Sequence, residues 1–161
     1  MKTIVNSETT EVAISSEGPI TMIGERINPT GRMALAAALL EGDLDYVRRQ
    51  AVTQAESGAD ILDVNVGVPG MDEAAMMPEV VKAVAESVEL PLCIDTANPD
   101  SLAAGLAVAP GKVLVNSVNG EEESLDTVLP MVKASGAAVI GLTMDEEGIP
   151  ADAETRAAIA E

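Results

Sequence analysis

Five short apolar runs, each bounded by turn-forming residues, punctuate the chain: Ile20 to Gly24, Ile61 to Val66, Leu92 to Ile94, Val113 to Val115 and Ala138 to Leu142. Their length and their nearly unbroken apolar character predict strands buried on both faces. Between them the apolar positions recur at helical spacing. Leu44, Val47, Ala51, Val52 and Ala55 fall on one face, as do Met77, Val80, Val81, Val84 and Val88, and later Leu125, Val128, Leu129 and Val132. The stretch "ANPDSLAAGLAV" predicts a further helix, with Asn98 as its cap and Pro99 at its first position. Strands alternating with helices predict an α/β fold, in which a parallel sheet is covered by helices because each parallel connection needs a crossover. Ahead of the first strand, "TIVN" and "EVAIS" flank the polar "SETT" and predict a hairpin that would plug the N-terminal end of a closed barrel. No repeat or linker divides the chain. The expectation is one domain over residues 1–161, with the hairpin in 1–19 and five strands with their helices in 20–161.

The polar residues that follow these runs are unusual for such apolar surroundings. "IGERINPTGR" ends a strand pattern with Glu25, Arg26 and Asn28, then breaks the chain with Pro29 and Gly31. In folds of this class, residues at the C-terminal ends of the strands share one rim, and ligands bind there. The same positions elsewhere hold Asp63 and Asn65, then Asp95, Thr96 and Asn98, then Asn116, Ser117 and Asn119, and finally Thr143 and Asp145. Asp, Asn and Ser also favour turns and helix caps, a role that suits Asn65, Asn98 and Asn119. Asp63, Asp95 and Asn116 are different, because each lies in or beside an apolar run where an unpaired polar group costs about 1–3 kcal/mol. They need partners, and a ligand is one candidate. Carboxylates accept from ring N–H and amino donors, and an asparagine both gives and accepts, so such a rim suits a neutral heterocycle rich in donors. The dinucleotide fingerprint G-x-G-x-x-G is absent. Paired carboxylates alone would also fit a glycosidase, but the sequence does not set their separation.

Composition narrows the function classes further. Among 161 residues, 27 are acidic and 9 basic, a formal net charge of −18 that repels nucleic acid and anionic membranes. The acidic surface reads as a solvated face in preference to a docking face for a basic partner. Tyr46 is the only aromatic residue, so stacking on bases has no platform. Histidine is absent and Cys93 stands alone, which excludes Ser/His/Asp and Cys/His chemistry, an internal disulfide and a histidine-rich metal centre, so no metal site is expected. Cys93, inside "PLCID", reads as a small buried hydrophobe. With no secretory signal and no stretch of membrane-spanning length, the expected location is the cytoplasm.

Five segments, "IGERINPTGR", "ADILDVNVG", "LCIDTANP", "VLVNSVNGEEE" and "VIGLTMDEEGIPADAETR", occur in order and at compatible spacing. Together they resemble the pterin-binding barrel of the methyltetrahydrofolate:corrinoid protein methyltransferases. That family is related to the folate region of cobalamin-dependent methionine synthase and, more distantly, to dihydropteroate synthase. The resemblance implies a (β/α)8 TIM barrel, often a homodimer, that takes methyltetrahydrofolate as substrate in its C-terminal mouth. It also implies a partner, a separate corrinoid protein whose cobalamin cobalt accepts or donates the methyl group. Residue by residue, Asp95 of "CIDT" and Asn116 of "VNS" match the family's pterin-contacting aspartate and asparagine. Asn28, together with Asp63 and Asn65 of "LDVN", matches rim positions near the pterin, and Glu25 joins them. A full barrel has eight strands and about 250 residues, whereas the 161 residues here carry five units. The family's further pterin-binding aspartate and the asparagine that polarises the reacting nitrogen belong to later strands, so no catalytic residue is assigned. The rival readings are a dihydropteroate synthase-like enzyme, for which only Arg26 and Arg32 lie near the rim to meet a pyrophosphate, and a non-catalytic pterin-binding fragment.

Overall fold

The computed structural model describes residues 2–161; Met1, the first residue of the expected domain, lies outside them. Strands β1 (Lys2–Asn6) and β2 (Glu11–Ser15) pair antiparallel, joined by the polar turn that the sequence marks. A parallel sheet of five strands follows, in the order β3 (Ile23–Ile27), β4 (Ile61–Val64), β5 (Leu92–Asp95), β6 (Leu114–Asn119) and β7 (Ala138–Leu142). Strand order equals chain order, as in a (β/α) barrel. The helices are α1 (Met33–Glu41), α2 (Leu44–Glu56), α3 (Glu73–Ala85), α4 (Pro99–Val108), α5 (Glu122–Ser135) and α6 (Ala153–Ala160). The fold class is α/β, as the alternation predicts.

Four strands differ from their expected bounds; β4 ends two residues early at Val64 and β5 runs one residue on to Asp95, while two others shift further. The first begins at Ile23 rather than Ile20, and Ile20 is 91% exposed. Its cause is visible: Asp60 and Ile61 donate their backbone N–H groups to the Met22 carbonyl, so pairing with β4 starts only there. Glu25 and Arg26 therefore lie within the strand rather than after it. The fourth strand runs on through Asn119 rather than ending at Val115, because β7 pairs with Val118 and Asn119 beyond a register shift. Polar Asn116, Ser117 and Asn119 hide this continuation from a hydrophobicity pattern. Helix α1 has no counterpart in the sequence reading; its apolar run "MALAAALLE" lacks a polar face to reveal a period.

Each strand alternates between two faces. Leu62, Val64, Leu92, Ile94 and Val115 point outward and join Val47, Ala51, Met77, Val80, Val81, Val84 and Leu102 of the helices in the main core. Helix starts are fastened by side chains: Asp43, Asp72 and Asn98 accept backbone N–H bonds at the heads of α2, α3 and α4. Three residues assigned to apolar stripes are only partly covered, with Val52 and Leu125 37% and Leu129 40% exposed. Helix α5 leans on β6 and α4, and only the side carrying Val132 is fully covered. Among the described residues, no helix is long and apolar enough to cross a membrane.

The inner face has its own apolar layer. Ile61, Cys93, Leu114 and Ala138 pack with Val5 of the hairpin, and Val12, Ile14 and Ile140 flank them. The hairpin thus closes the N-terminal end of the sheet. It is stitched there by Asn6, whose backbone N–H donates to the Lys112 carbonyl at 2.9 Å while its side-chain oxygen accepts from the Lys112 N–H at 2.6 Å. Gly111 makes this approach feasible: its φ is +70°, and a Cβ there would collide with the Asn6 carbonyl. Gly111→Ala is expected to cost about 2–5 kcal/mol, the sum of a left-handed alanine and an overpacked contact. Denaturant melts should show the loss, and amide exchange at Asn6 and Lys112 should accelerate; a variant as stable as the parent would contradict this account.

Candidate functional site

Pairing register assigns the inner face residue by residue. Asp63 stands opposite Cys93, Cys93 opposite Leu114, and Leu114 opposite Ala138. Asp63 therefore occupies a row that is otherwise apolar. One step toward the C-terminal ends of the strands, Asp95 stands opposite Asn116. Asn65, two residues past Asp63, reaches the same level and donates its amide to Asp95 Oδ2 at 3.0 Å. The peptide bond between Asn116 and Ser117 is cis.

On the neighbouring strand, the register between β3 and β4 shifts between Gly24 and Ile27, so Glu25 and Arg26 stand against a single β4 position. The Glu25 carboxylate acts on Asp63 and Asp95, which places it on the inner side. Arg26 donates its backbone N–H to Gln54 Oε1 of α2 at 2.7 Å, on the helical side. Gln54 is 6% exposed and was not singled out by the sequence, where a glutamine in an amphipathic helix reads as surface. Gly24 makes room for it, since a Cβ there would lie 2.8 Å from Gln54 Oε1.

The rim residues divide by what their side chains already hold. Asn28 donates to Glu25 Oε1 at 3.1 Å and accepts from the Thr30 N–H at 3.0 Å, so it fixes the turn and steadies Glu25. Asn65 accepts from the Gly67 N–H, Asn98 caps α4, and Asn119 accepts from the Glu121 N–H, the turn and cap roles that these three suit. Thr96 donates to Glu73 Oε2 at 3.3 Å. Asp63, by contrast, is 2% exposed, and its Oδ2 has no hydrogen-bond partner.

Electrostatics follow from that placement. Burial pushes the Asp63 carboxyl up to about 6, and the charges of Asp95 and Glu25 add to the effect. The Cys93 thiol and the Asn116 amide stand near enough to pull the other way, though neither closes a bond on Oδ2. Burial, then Asp63, raises the Cys93 thiol far above its ordinary range, so it is inert as a nucleophile. Burial also raises Asp95, opposed by the Asn65 amide and reinforced by Glu25. Among the described residues no cation counters these three carboxyls on the inner face; the ion pairs, Arg48 with Asp45 and Glu86 and Lys82 with Glu79, lie on the helices and the end of α3.

The arrangement is the inner face of the sheet, floored by apolar side chains and edged by carboxylates and amides. Two clefts lie away from Asp63, Asp95 and Asn116: one of about 630 Å³ beside the hairpin turn and the end of α3, and one of about 550 Å³ between β3 and α2, which Glu25 also lines. What the inner face offers chemically is acceptors without a fixed positive charge or a nucleophile. That composition fits a ligand which brings several donors on a flat edge.

Comparison with known proteins agrees with the α/β fold. Residues 24–160 match the family model described as pterin binding enzyme. Methionine synthase from Mycobacterium tuberculosis is 33% identical over 162 residues, which is 98% of this chain and 14% of that protein. Methylcorrinoid:tetrahydrofolate methyltransferase from Eubacterium limosum is 34% identical over 138 residues, 84% of this chain and 50% of that protein. The chain thus spans at most half the length of these relatives. Among solved structures, Xanthomonas albilineans dihydropteroate synthase in complex with indole-2-carboxylic acid and 6-chloroguanine aligns over 86% of this chain and 49% of its own. Its TM-score is 0.55 at 21% identity, a likeness of fold.

The raised carboxyl has a consequence for stability. The folded Asp63 keeps its proton up to about pH 6, whereas the unfolded chain releases it near the ordinary value of 3.8. The folded state therefore binds more protons between these limits, so this contribution is full below about pH 3.8 and is lost as pH rises through about 6. At about 1.4 kcal/mol per unit, the loss amounts to at most about 3 kcal/mol. Asp63→Asn should remove it, so that urea melts show the variant gaining on the parent by about 1–3 kcal/mol between pH 4 and pH 7. Parallel pH profiles for the two proteins would refute the assignment.

Proposed function

The chain belongs to the pterin binding enzyme family, and on that premise we propose that the rim formed by Asp95, Asn116, Asp63, Asn65, Asn28 and Glu25 binds the pterin of methyltetrahydrofolate. The methyl group then moves to, or from, the cobalt of a corrinoid held by a partner protein. Residues 1–161 carry the first five units of one pterin-binding domain in this reading, the hairpin serving as its floor. The observation that carries the proposal is the row in which Asp95 and Asn116 stand side by side on adjacent strands, directly above a buried carboxyl oxygen with no partner.

The donor set fits the ring. A pterin presents an N–H, an amino group and a carbonyl along one edge, which a carboxylate and an asparagine amide meet with matched acceptors and donors. Asn65 holds Asp95 in place through the 3.0 Å bond, so the carboxylate is oriented before the ligand arrives, and little ordering entropy remains to oppose binding. Methyl transfer from a tertiary amine leaves a poor leaving group, so the pterin nitrogen needs a proton or hydrogen bond as the bond breaks. A bound corrinoid would supply a strong nucleophile. The residues of this chain bind the ring, orient it so that its methyl group faces outward, and discriminate against analogues that lack the ring donors.

Asp95→Ala or Asn116→Ala is expected to weaken methyltetrahydrofolate binding by about 1–3 kcal/mol per lost hydrogen-bonding partner, measured by calorimetric titration. Asn98→Ala serves as the control: it removes the cap of α4 and about 1 kcal/mol of stability, and it should leave affinity unchanged. Unchanged affinity in both site variants would remove them from the site. A turnover assay with methylcorrinoid protein and tetrahydrofolate, run beside one with a pterin pyrophosphate and p-aminobenzoate, separates methyl transfer from dihydropteroate synthesis.

A further inference from the structure

Asp63 differs from the other acids of the inner face in depth and in company. Glu25 is exposed and Asp95 half-buried, and both have amide donors, from Asn28 and Asn65 respectively. Asp63 is 2% exposed, shares its row with Cys93, Leu114 and Ala138, and has an oxygen without a donor. The groups that face it from each packed element are Glu25 of β3, Cys93 and Asp95 of β5, and Asn116 of β6. Two of these are acids, one is a thiol that keeps its proton, and none is a cation. A buried carboxylate in such a place would face like charges with no counter-ion, the circumstance in which a carboxyl takes up a proton instead.

We infer that Asp63 meets the ligand as a neutral carboxylic acid, one oxygen accepting from a ring N–H and the protonated one donating to an adjacent ring acceptor. This inference rests on the pterin reading of the site and deepens it. Asp95, higher in the mouth and held by an amide, acts as an acceptor only; Asp63, on the floor, both gives and takes. The two acids then select for different features. Asp95 demands donors on the ligand, and Asp63 demands a donor and an acceptor side by side, the edge pattern of a lactam or an aminopyrimidine. A ligand with donors alone would leave the Asp63 proton buried without an acceptor and would be rejected. The raised proton affinity of Asp63, with its transition at about 6, agrees with this state.

Titrating the full chain with 7,8-dihydropterin from pH 5 to pH 8 tests the assignment, with Asp63→Asn and Asp63→Leu alongside and circular dichroism to confirm that each is folded. Because binding takes up one proton once Asp63 is ionised, the parent Kd should rise with pH above about 6, to about thirtyfold its pH 5 value by pH 7.5 and at most tenfold per unit. Asp63→Asn, which keeps one donor and one acceptor, should bind as tightly as the parent does at pH 5.5 and lose that rise; titration of the ligand itself is common to both proteins and cancels. Asp63→Leu should bind at least tenfold more weakly at every pH. Superimposable profiles for parent and Asp63→Asn, or undiminished binding by Asp63→Leu, would overturn this inference alone. Absence of dihydropterin binding by the parent at any pH would overturn the pterin reading and this inference with it.

Discussion

The parallel register of β4, β5 and β6 is the constraint on which the rest depends. Side chains alternate across a strand, so a slip of one residue would exchange the two faces. In the register present, Leu62, Val64, Leu92, Ile94 and Val115 face the helices, while Asp63, Cys93, Asp95, Leu114 and Asn116 face inward. The slipped alternative would drive Asp63 and Asp95 into the apolar layer between sheet and helices, where neither would find a donor. The helices cover the outer face with Val47, Met77, Val80, Val81 and Leu102. Burial of that layer therefore holds the polar groups on the other side at fixed height and spacing, and the core and the site are set by a single choice of pairing.

Within the inner face, height decides chemistry. The hairpin supplies Val5 and Val12 beneath the sheet and makes the floor apolar. Asp63 stands at the boundary, level with that floor, and loses its water; Asp95 and Asn116 stand one step higher and keep part of theirs. The same residue type thus has two proton affinities two positions apart on adjacent strands, both raised by burial, one of them up to about 6. Asn65 accentuates the difference, because its amide reaches Asp95 and leaves Asp63 Oδ2 without a donor. The chain belongs to the pterin binding enzyme family, and under the proposed reading the depth of Asp63 adds an element of selectivity that acceptors at the rim alone would lack.

Much of this was legible in the chain. Apolar runs of strand length, helical periods between them and the caps Asn98 with Pro99 are local signals, and local signals survive without tertiary context. They yield the α/β class, the position of β7 and, to within two residues, the positions of β4 and β5. Apolar runs misplace the edges: Ile20 and Met22 look like strand but precede the residues that pair with β4, and Asn116 to Asn119 look like loop but lie in β6, where β7 pairs with Val118 and Asn119. Helix α1 is uniform in composition and so gives no period to read. The rim residues were also legible as candidates, since a carboxylate or amide inside an apolar strand carries an energetic cost that needs a partner.

The amino-acid order alone determines the alternation of strand and helix, the caps, the acidic character and the set of short polar side chains at strand ends, because each depends on neighbours within a few positions. Tertiary structure decided which of those side chains are already satisfied. Asn28 holds Glu25, Asn65 holds Asp95, Gln54 holds the backbone of Arg26, and Asp63 is left with an oxygen that nothing in the described residues meets. These pairings join residues up to 30 positions apart, and only the register of the assembled sheet brings such groups to the same height.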